Sequence, residues 1–282
     1  MTKYAITGST GHFGQNALKE LVKLVPATDI IALARNTKKA KDMVPTGVEV
    51  RPGDYTDVDQ LTESLKGIDR LLFISSQPGG PVARLTQHQN LVKAAKNAGV
   101  GYIAYTSFPH ADSATVSLAS DHKETEKLIK ESGMKYSFLR NNWYLENDAA
   151  GLKEAAKGND FIYSAGDGKA GWALESEYSE AAAKVLATQD TKDVYEFAGE
   201  SRTYAQLAEG VAGNFKVSSL TDTEYSKLLK DSGMDDMTIG IIISIQDLIS
   251  DGALAEETTD LLDVLGHDLT PISEAIKTVV GE

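Results

Sequence analysis

The sequence predicts an α/β protein, in which a doubly wound parallel sheet is joined to a smaller, mainly helical C-terminal subdomain. Three observations support this. Short apolar runs alternate with helix-like segments through the first half of the chain. Those runs are almost continuously apolar, as expected of strands covered by helices on both faces. After about Asn142 the alternation weakens, and the remainder reads mostly as amphipathic helix.

The elements follow in order from these runs and from the turn residues between them. We predict strands at Tyr4–Thr7, Ile30–Ala34, Val48–Arg51, Leu71–Ser75, Tyr102–Ser107 and Tyr136–Leu139. We predict helices at Gln15–Leu24, Val58–Leu65, His88–Ala98, Asp121–Ser132, Ser176–Leu186 and Tyr204–Gly213.

Composition excludes several classes of function. The 282 residues carry a formal net charge of -13, which suits neither nucleic acid nor an anionic membrane. From Asp222 onward there are 14 acidic side chains against three lysines, so most of this charge lies in the tail. The chain has no cysteine, which excludes disulfides and thiolate chemistry. His12, His88, His110 and His267 are scattered, and no residue pattern predicts a metal site.

Hydropathy predicts a cytoplasmic protein. No basic segment followed by an apolar core opens the sequence, so we expect no secretory signal. The longest apolar run, Met237–Ile245, is too short to span a bilayer. This run is either subdomain core or an interface between copies of the chain, so a homo-oligomer is left open.

Three glycines follow the first predicted strand and predict a phosphate-binding turn. They are Gly8, Gly11 and Gly14 in TGSTGHFG. Glycine permits a tight turn and a close approach of the backbone to a ligand. The N–H groups that open the following helix attract phosphate. Although the spacing is GxxGxxG and not GxGxxG, its position between strand and helix is that of a dinucleotide site in a Rossmann-type sheet.

The end of the second strand indicates which dinucleotide is bound. Sites for NAD usually place a carboxylate here to bind the ribose 2′-hydroxyl, but this chain has Arg35, with Lys38 and Lys39 close behind. A guanidinium can hold a 2′-phosphate through paired, charge-assisted hydrogen bonds. The sequence therefore favours NADP(H).

Polar and aromatic residues follow the other strands at the edge where such sheets bind ligands. These candidates are Asp54 and Tyr55; Ser75, Ser76 and Gln77; Thr106, Ser107 and Phe108; and Asn141, Asn142 and Trp143.

Together these motifs resemble an atypical short-chain dehydrogenase/reductase of the NmrA-like group, and within it the NADPH-dependent quinone oxidoreductases of type 2. The resemblance rests on TGSTGHFG, ARN, the Leu71–Ser76 strand end, AYTS, HKETEKLIKESG, FLRNNWYLEN and AGDGK. It covers roughly residues 1–200 and weakens in the acidic tail. It implies an NADP-binding Rossmann domain at 1–150, with a return segment near 160–190, and a smaller substrate-binding subdomain at 151–282.

The resemblance also implies the cofactor contacts. They are Gly8, Ser9, Thr10, Gly11, His12, Phe13, Gly14, Arg35, Ser75, Ser76, Gln77, Asn141, Asn142, Trp143, Tyr144, Gly166, Asp167, Gly168 and Lys169. The last four form a turn whose cofactor role rests on the family alone.

One departure from the wider superfamily affects the chemistry. Short-chain dehydrogenases usually carry YxxxK on the helix after the fifth strand, where the Tyr donates a proton. The matching positions here are Leu118 and His122. Leucine cannot donate a proton, whereas His122 can hydrogen-bond the nicotinamide ribose or act as an acid near neutral pH. His122 is therefore the candidate catalytic residue.

A quinone acceptor relaxes the need for a strong acid, because the reduced quinone is a weakly basic phenolate. The predicted function is hydride transfer from NADPH to a small-molecule quinone, without flavin. Phe108, Trp143 and Tyr144 are candidate walls for the planar ring.

Two other hypotheses fit the motifs. The NmrA-like group also includes proteins that bind NADP without turnover and act as redox sensors through protein partners. The other hypothesis is a sugar epimerase or an isoflavone-type reductase, and it is disfavoured. Sugar epimerases depend on the Tyr that Leu118 replaces, and isoflavone-type reductases carry a Lys at the position of His122.

Overall fold

The computed structural model describes residues 1–281 and contains eleven strands. They are β1 (Tyr4–Ile6), β2 (Ile30–Ala34), β3 (Glu49–Pro52), β4 (Arg70–Phe73), β5 (Tyr102–Ser107), β6 (Lys135–Asn141), β7 (Phe161–Tyr163), β8 (Lys169–Ala170), β9 (Val194–Phe197), β10 (Arg202–Thr203) and β11 (Val217–Ser219).

Twelve α-helices are described in the same range. They are α1 (His12–Leu24), α2 (Thr37–Lys41), α3 (Val58–Ser64), α4 (Arg84–Ala98), α5 (Ser117–Ser132), α6 (Ala149–Ala156), α7 (Glu175–Ala187), α8 (Tyr204–Ala208), α9 (Asp222–Asp231), α10 (Asp236–Ser250), α11 (Asp260–Leu265) and α12 (Ile272–Val280). No described helix is both long and apolar enough to cross a membrane.

The first of two compact units contains the main sheet. It comprises 1–141, 175–197 and 260–267. Seven parallel strands are ordered β3-β2-β1-β4-β5-β6-β9. The strand order reverses at β1, which pairs with β2 on one side and β4 on the other. The predicted doubly wound parallel sheet is confirmed, and ligands bind such sheets at the reversal point, outside the carboxyl ends of the strands.

A continuous apolar core lies under this sheet. Ile31, Leu71, Phe73, Ile103 and Phe138 are buried in it from four different strands. Side chains of α3, α4 and α5 complete the core, so the strands are covered as their apolar sequences predicted. The core fixes the strand ends that carry the candidate site.

The second unit comprises 142–174, 198–259 and the chain from Asp268 onward. It contains two small sheets, in which β8 pairs with β10 antiparallel and β7 pairs with β11 parallel. Helices supply most of its remaining structure, as predicted for the C-terminal part of the chain. The segment 260–267, which the sequence placed in the subdomain, belongs to the first unit.

The largest differences from the predicted elements occur where local signals are weak. Helix α4 begins at Arg84, four residues before the predicted start at His88. The sequence gives no clear signal of this start, because no side chain caps the N-terminus and the first turn is polar. Helix α5 begins at Ser117 and not at the predicted Asp121, and it too has no side-chain cap that would mark its start in the sequence. Helix α8 ends at Ala208, five residues before its predicted end at Gly213. The five short strands β7 to β11 and helix α2 were not predicted, since runs of two to five residues carry little periodicity.

Candidate functional site

Two of the three glycines in the turn between β1 and α1 are required there for steric reasons. Gly8 has φ +60, in the region that side chains disfavour. A Cβ on Gly14 would lie 2.4 Å from the Gly8 carbonyl oxygen, so only glycine lets α1 pack this close to the turn. Gly11 differs, because a Cβ there would lie 3.4 Å from the same oxygen, an ordinary contact distance.

The first turn of α1 faces this turn with its N–H groups uncapped. Gly11 is the N-cap and offers no side chain, and no acidic residue occupies the first turn. No side chain caps these N–H groups, so together with the positive end of the helix dipole they suit an anion, and the cofactor contact here stays a prediction. His12 is exposed, whereas Phe13 is buried.

Ser9 supports the turn from below. Its hydroxyl donates to the Leu33 carbonyl oxygen at 2.9 Å, and its side chain is fully buried. Ser9 therefore fixes the turn to β2. The Ser9 N–H donates to the same carbonyl oxygen at 3.3 Å, and the cofactor contact of Ser9 stays a prediction.

Arg35 stands exposed directly after β2. Within residues 1–281 no carboxylate pairs with it, and Lys38 and Lys39 beside it are also exposed. The neighbouring Asn36 is occupied, since its side chain accepts the N–H of Lys39 and caps α2. The unpaired Arg35 guanidinium is free to bind a ligand phosphate.

The end of β4 is fixed to its neighbours on both sides. The Thr106 hydroxyl accepts the Ser75 N–H at 2.9 Å, and Thr7 accepts the Ile74 N–H at 2.9 Å. The Ser76 N–H donates to His88 Nε2 at 3.0 Å. The buried Ser76 hydroxyl has no hydrogen-bond partner in the described structure, and Gln77 is exposed. An unpaired buried hydroxyl at this edge is the kind of group that a bound ligand satisfies.

Three of the predicted strand-end residues form contacts within the fold. The Tyr55 hydroxyl donates to the Ile74 carbonyl oxygen at 2.8 Å. The Ser107 hydroxyl donates to Glu126 at 2.6 Å, and Glu126 forms a buried ion pair with Arg140 at 2.7 Å. Asp54 caps its own turn by accepting from the Thr56 N–H at 2.9 Å. These contacts leave little for a ligand.

His122 lies in a buried polar network that the sequence did not predict. Its Nε2 is 2.9 Å from Arg84 Nη2, and its Nδ1 is 2.9 Å from the Tyr105 hydroxyl. A guanidinium can only donate, so Nε2 must accept and Nδ1 must carry the proton. Burial, aided by the charge of Arg84, lowers the pKa of His122 well below its ordinary value. His122 is therefore neutral, and both ring nitrogens are occupied.

His88 is ordered in the same way. Its Nε2 accepts the Ser76 N–H, so its Nδ1 carries the proton and donates to the Thr125 hydroxyl at 2.8 Å. Thr125 in turn donates to the Asp121 carbonyl oxygen at 2.6 Å. Burial lowers the pKa of His88 to about 3.

A spacing signal could have revealed part of this network. Arg84 and His88 are four residues apart on α4, and His122 and Thr125 are three apart on α5, so each pair shares one helix face. Tyr105 lies on β5 between them. The sequence does not reveal that the two faces meet.

The predicted positions of the second unit are partly structural. Asn142 is buried; its side-chain oxygen accepts the N–H groups of Trp143 and Gly171 at 2.9 and 3.0 Å. Its amide nitrogen donates to the Leu254 carbonyl oxygen at 3.1 Å. Asn142 thus joins three segments of this unit. Trp143 and Tyr144 are half-buried, while Asn141 is buried in the first unit.

The turn 166–169 has a defined shape. Gly166 has φ +55, and a Cβ on Gly168 would lie 2.3 Å from the Ile249 carbonyl oxygen, so α10 packs directly against glycine backbone. Asp167 and Lys169 are exposed. The turn is thus explained by packing, and its cofactor role stays a prediction.

The residues of the first unit fit a dinucleotide phosphate. The glycine turn leaves room that a Cβ would fill, the first turn of α1 has no side-chain cap, and Arg35 supplies an unpaired cation. These features lie after β1 and β2, beside the reversal point of the sheet.

Comparison with known proteins agrees with this geometry. Residues 8–162 match the model of a family described as NAD(P)H-binding. The chain is 38% identical over 278 residues to Quinone oxidoreductase 2 of Escherichia coli (strain K12), covering 96% of both chains.

Two solved structures are similar over nearly the whole chain. The NADPH-dependent quinone oxidoreductase of Escherichia coli, complexed with NADPH, superimposes with a TM-score of 0.90 at 37% identity, covering 98% of this chain and 99% of that one. The triphenylmethane reductase of Citrobacter sp., complexed with NADP(H), gives a TM-score of 0.91 at 32% identity, with the same coverage. The resemblance stated from the sequence motifs is confirmed, and the chain belongs to the NAD(P)H-binding family of reductases that includes these proteins.

Proposed function

We propose that this protein is an NADPH-dependent oxidoreductase that reduces quinones by direct hydride transfer, without flavin. The observation that carries the proposal is the 38% identity to a quinone oxidoreductase over 96% of both chains, because it includes both compact units and not the cofactor-binding half alone.

The first unit supplies the cofactor site. The N–H groups at the start of α1 bind the pyrophosphate, and Arg35 binds the 2′-phosphate that distinguishes NADPH from NADH. The hydroxyl of Ser76 takes up a ligand hydrogen bond at the end of β4. Bound NADPH supplies a hydride. In the second unit the exposed turn residues Asp167 and Lys169 stay candidate contacts.

The buried network supports an acceptor that needs no strong protein acid. His122 is neutral, both its ring nitrogens are engaged, and Leu118 replaces the usual tyrosine. Neither direct role predicted for His122 is favoured, because both ring nitrogens are already hydrogen-bonded and the lowered pKa leaves the ring without the second proton that an acid would donate near neutral pH. A quinone suits this arrangement, since its reduced form is a weakly basic phenolate.

Phe108 is the candidate ring wall in the first unit. It is buried, and its ring centroid lies 6.1 Å from that of His122. Trp143 and Tyr144 stay candidate ring walls in the second unit. The net charge of -13 agrees with a small neutral substrate and disfavours nucleic acid and membrane as partners. We propose a cytoplasmic location, and light scattering will test whether the chain forms a homo-oligomer.

The test is steady-state oxidation of NADPH and NADH by purified protein with benzoquinones and naphthoquinones. We expect turnover that prefers NADPH and that persists in protein whose absorption spectrum contains no flavin. Tight NADPH binding without oxidation by any quinone would refute the proposal and favour the redox sensor. In that case the informative experiment is to capture protein partners with and without NADPH and to compare the two sets of partners.

A further inference from the structure

Arg84 is an unneutralised cation at the edge of the sheet where the reacting groups are expected. Its Nε is buried without a hydrogen-bond partner, and no carboxylate lies within ion-pair distance in residues 1–281. Arg84 is half-buried, and a buried donor without a partner is the kind of group that a bound ligand satisfies.

The position of Arg84 follows from the order of the strands. Arg35 follows β2, the glycine turn follows β1, and Arg84 opens α4, which follows β4. These strands are adjacent in the order β2-β1-β4-β5, so a dinucleotide anchored after β2 and β1 extends toward β4 and β5. Arg84 therefore lies along the carboxyl edge of the sheet toward β4 and β5, away from the expected phosphate positions after β2 and β1. The reacting end of the cofactor is expected there.

The guanidinium is held in place by a neutral histidine. Arg84 Nη2 donates to His122 Nε2 at 2.9 Å, and His122 Nδ1 donates to the Tyr105 hydroxyl at 2.9 Å. A charged His122 would repel Arg84 and could not accept from it. The contact leaves the remaining N–H groups of the guanidinium available.

We propose that Arg84 is the catalytic cation that stabilises the oxyanion formed on the quinone during hydride transfer, and that His122 is a positioning residue acting through Arg84. The inference rests on the proposed function. It replaces the direct role predicted for His122, whose two nitrogens are already engaged.

The chemistry balances without a protein acid. On receiving the hydride the quinone gains two electrons and one proton, the nicotinamide is oxidised, and one quinone carbonyl oxygen becomes an oxyanion. The guanidinium keeps its protons and donates hydrogen bonds to that oxygen. Water protonates the hydroquinone anion after release. A donor directed at developing charge acts as in an oxyanion hole.

The first test compares Arg84→Met, Arg84→Lys and the matched control Lys93→Met, which removes an exposed cation from the same helix. We expect Arg84→Met to lower kcat by about 100–1000-fold, the usual effect of removing one oxyanion donor. The NADPH Kd, read from cofactor fluorescence, and the melting temperature should change little. Arg84→Lys should recover part of the rate, and Lys93→Met should match the unmodified protein.

A binding measurement provides a readout that does not depend on turnover. The enolate of 2-hydroxy-1,4-naphthoquinone carries the negative charge expected on the reduced quinone, and we would titrate it against the protein with NADP⁺ bound. Arg84→Met should weaken its binding by about 10–150-fold, the loss of one charge-assisted hydrogen bond. Neutral 1,4-naphthoquinone should bind both proteins equally.

A double-mutant cycle tests the positioning role of His122. His122→Ala should lower kcat in the unmodified protein, but in the Arg84→Met background it should change kcat by less than about twofold, because the two residues act as one unit. Independent, additive losses would overturn the role assigned to His122.

The outcomes separate this inference from the proposed function. Unchanged kcat in Arg84→Met, or a raised NADPH Kd with kcat intact, would overturn the assignment of Arg84. If the unmodified protein binds NADPH but reduces no quinone, the proposed function fails. The enolate titration then decides alone, and equal binding by Arg84→Met would overturn the role of Arg84.

Discussion

Replacing Gly14 by alanine tests the steric argument for the glycine turn. The added Cβ would lie 2.4 Å from the Gly8 carbonyl oxygen and 2.9 Å from the Ser9 Cα. Ordinary contact begins at 3.4 Å, so α1 must move outward by about 1 Å or the turn must deform. Helix propensity acts in the opposite direction, since alanine is favoured over glycine by about 1 kcal/mol within a helix.

The magnitude follows from these opposing terms. Overpacking costs about 1–3 kcal/mol, and the upper value applies here because the clashing atoms are backbone. After the gain in propensity, a net loss of about 2 kcal/mol remains, which lowers the melting temperature by about 4–8 °C in a protein of this size. The displaced N–H groups of α1 should also raise the NADPH Kd at least about tenfold, the value of one charge-assisted hydrogen bond.

The assays are thermal unfolding by circular dichroism and NADPH titration by fluorescence. Gly11→Ala is the matched control, because its Cβ would lie 3.4 Å from the same carbonyl oxygen and its φ of -77 suits any residue. We expect that control to change stability by less than about 1 kcal/mol. A Gly14→Ala protein as stable as the unmodified one, with unchanged NADPH affinity, would refute the reasoning.

Three further predictions concern a ligand contact, a helix end and pH. Arg35→Ala should raise the NADPH Kd about 10–150-fold and leave the NADH Kd unchanged, because an exposed, unpaired guanidinium contributes through the 2′-phosphate alone; equal losses for both cofactors would contradict this. Arg70 donates to the Leu186 carbonyl oxygen at 2.6 Å and caps the end of α7, so in urea unfolding Arg70→Met should cost about 3 kcal/mol, and a loss below about 1 kcal/mol would contradict the capping role. The folded pKa of His88 is about 3, below its ordinary 6.5, so the unfolded chain binds a proton first as pH falls and stability decreases between those values. By pH 5 this amounts to roughly 2 kcal/mol; urea unfolding of His88→Gln should depend less on pH, and an equal slope would exclude His88 as the cause.

The main sheet could be predicted from the sequence because strands that are buried on both faces have apolar sequences. Ile30–Ala34 is continuously apolar, Tyr102–Ser107 is apolar up to Thr106, and the structure reproduces both bounds unchanged. The short strands after Asn142 could not be found this way. β8 and β10 have two residues each and are defined by a partner that is distant in the sequence.

The candidate site likewise contains residues that local sequence signals reveal and residues that depend on contacts between distant segments. Gly8, Gly14 and Arg35 could be predicted because a turn glycine and a charge at a strand end act through local geometry. The network of Arg84 and His122 depends on two helices, α4 and α5, meeting over β5, which no local pattern records. The sequence therefore singled out His122 but gave no sign that Arg84 donates a hydrogen bond to its ring.

The central claim, direct hydride transfer from NADPH to a quinone, is tested most directly by a single-turnover measurement with flavin-free protein. NADPH carrying deuterium at the transferred C4 position would be mixed with protein and 1,4-naphthoquinone in a stopped-flow instrument, and its oxidation rate compared with that of unlabelled NADPH. The account predicts rapid oxidation with a primary isotope effect. Cofactor that binds yet stays reduced in the presence of quinone would contradict it.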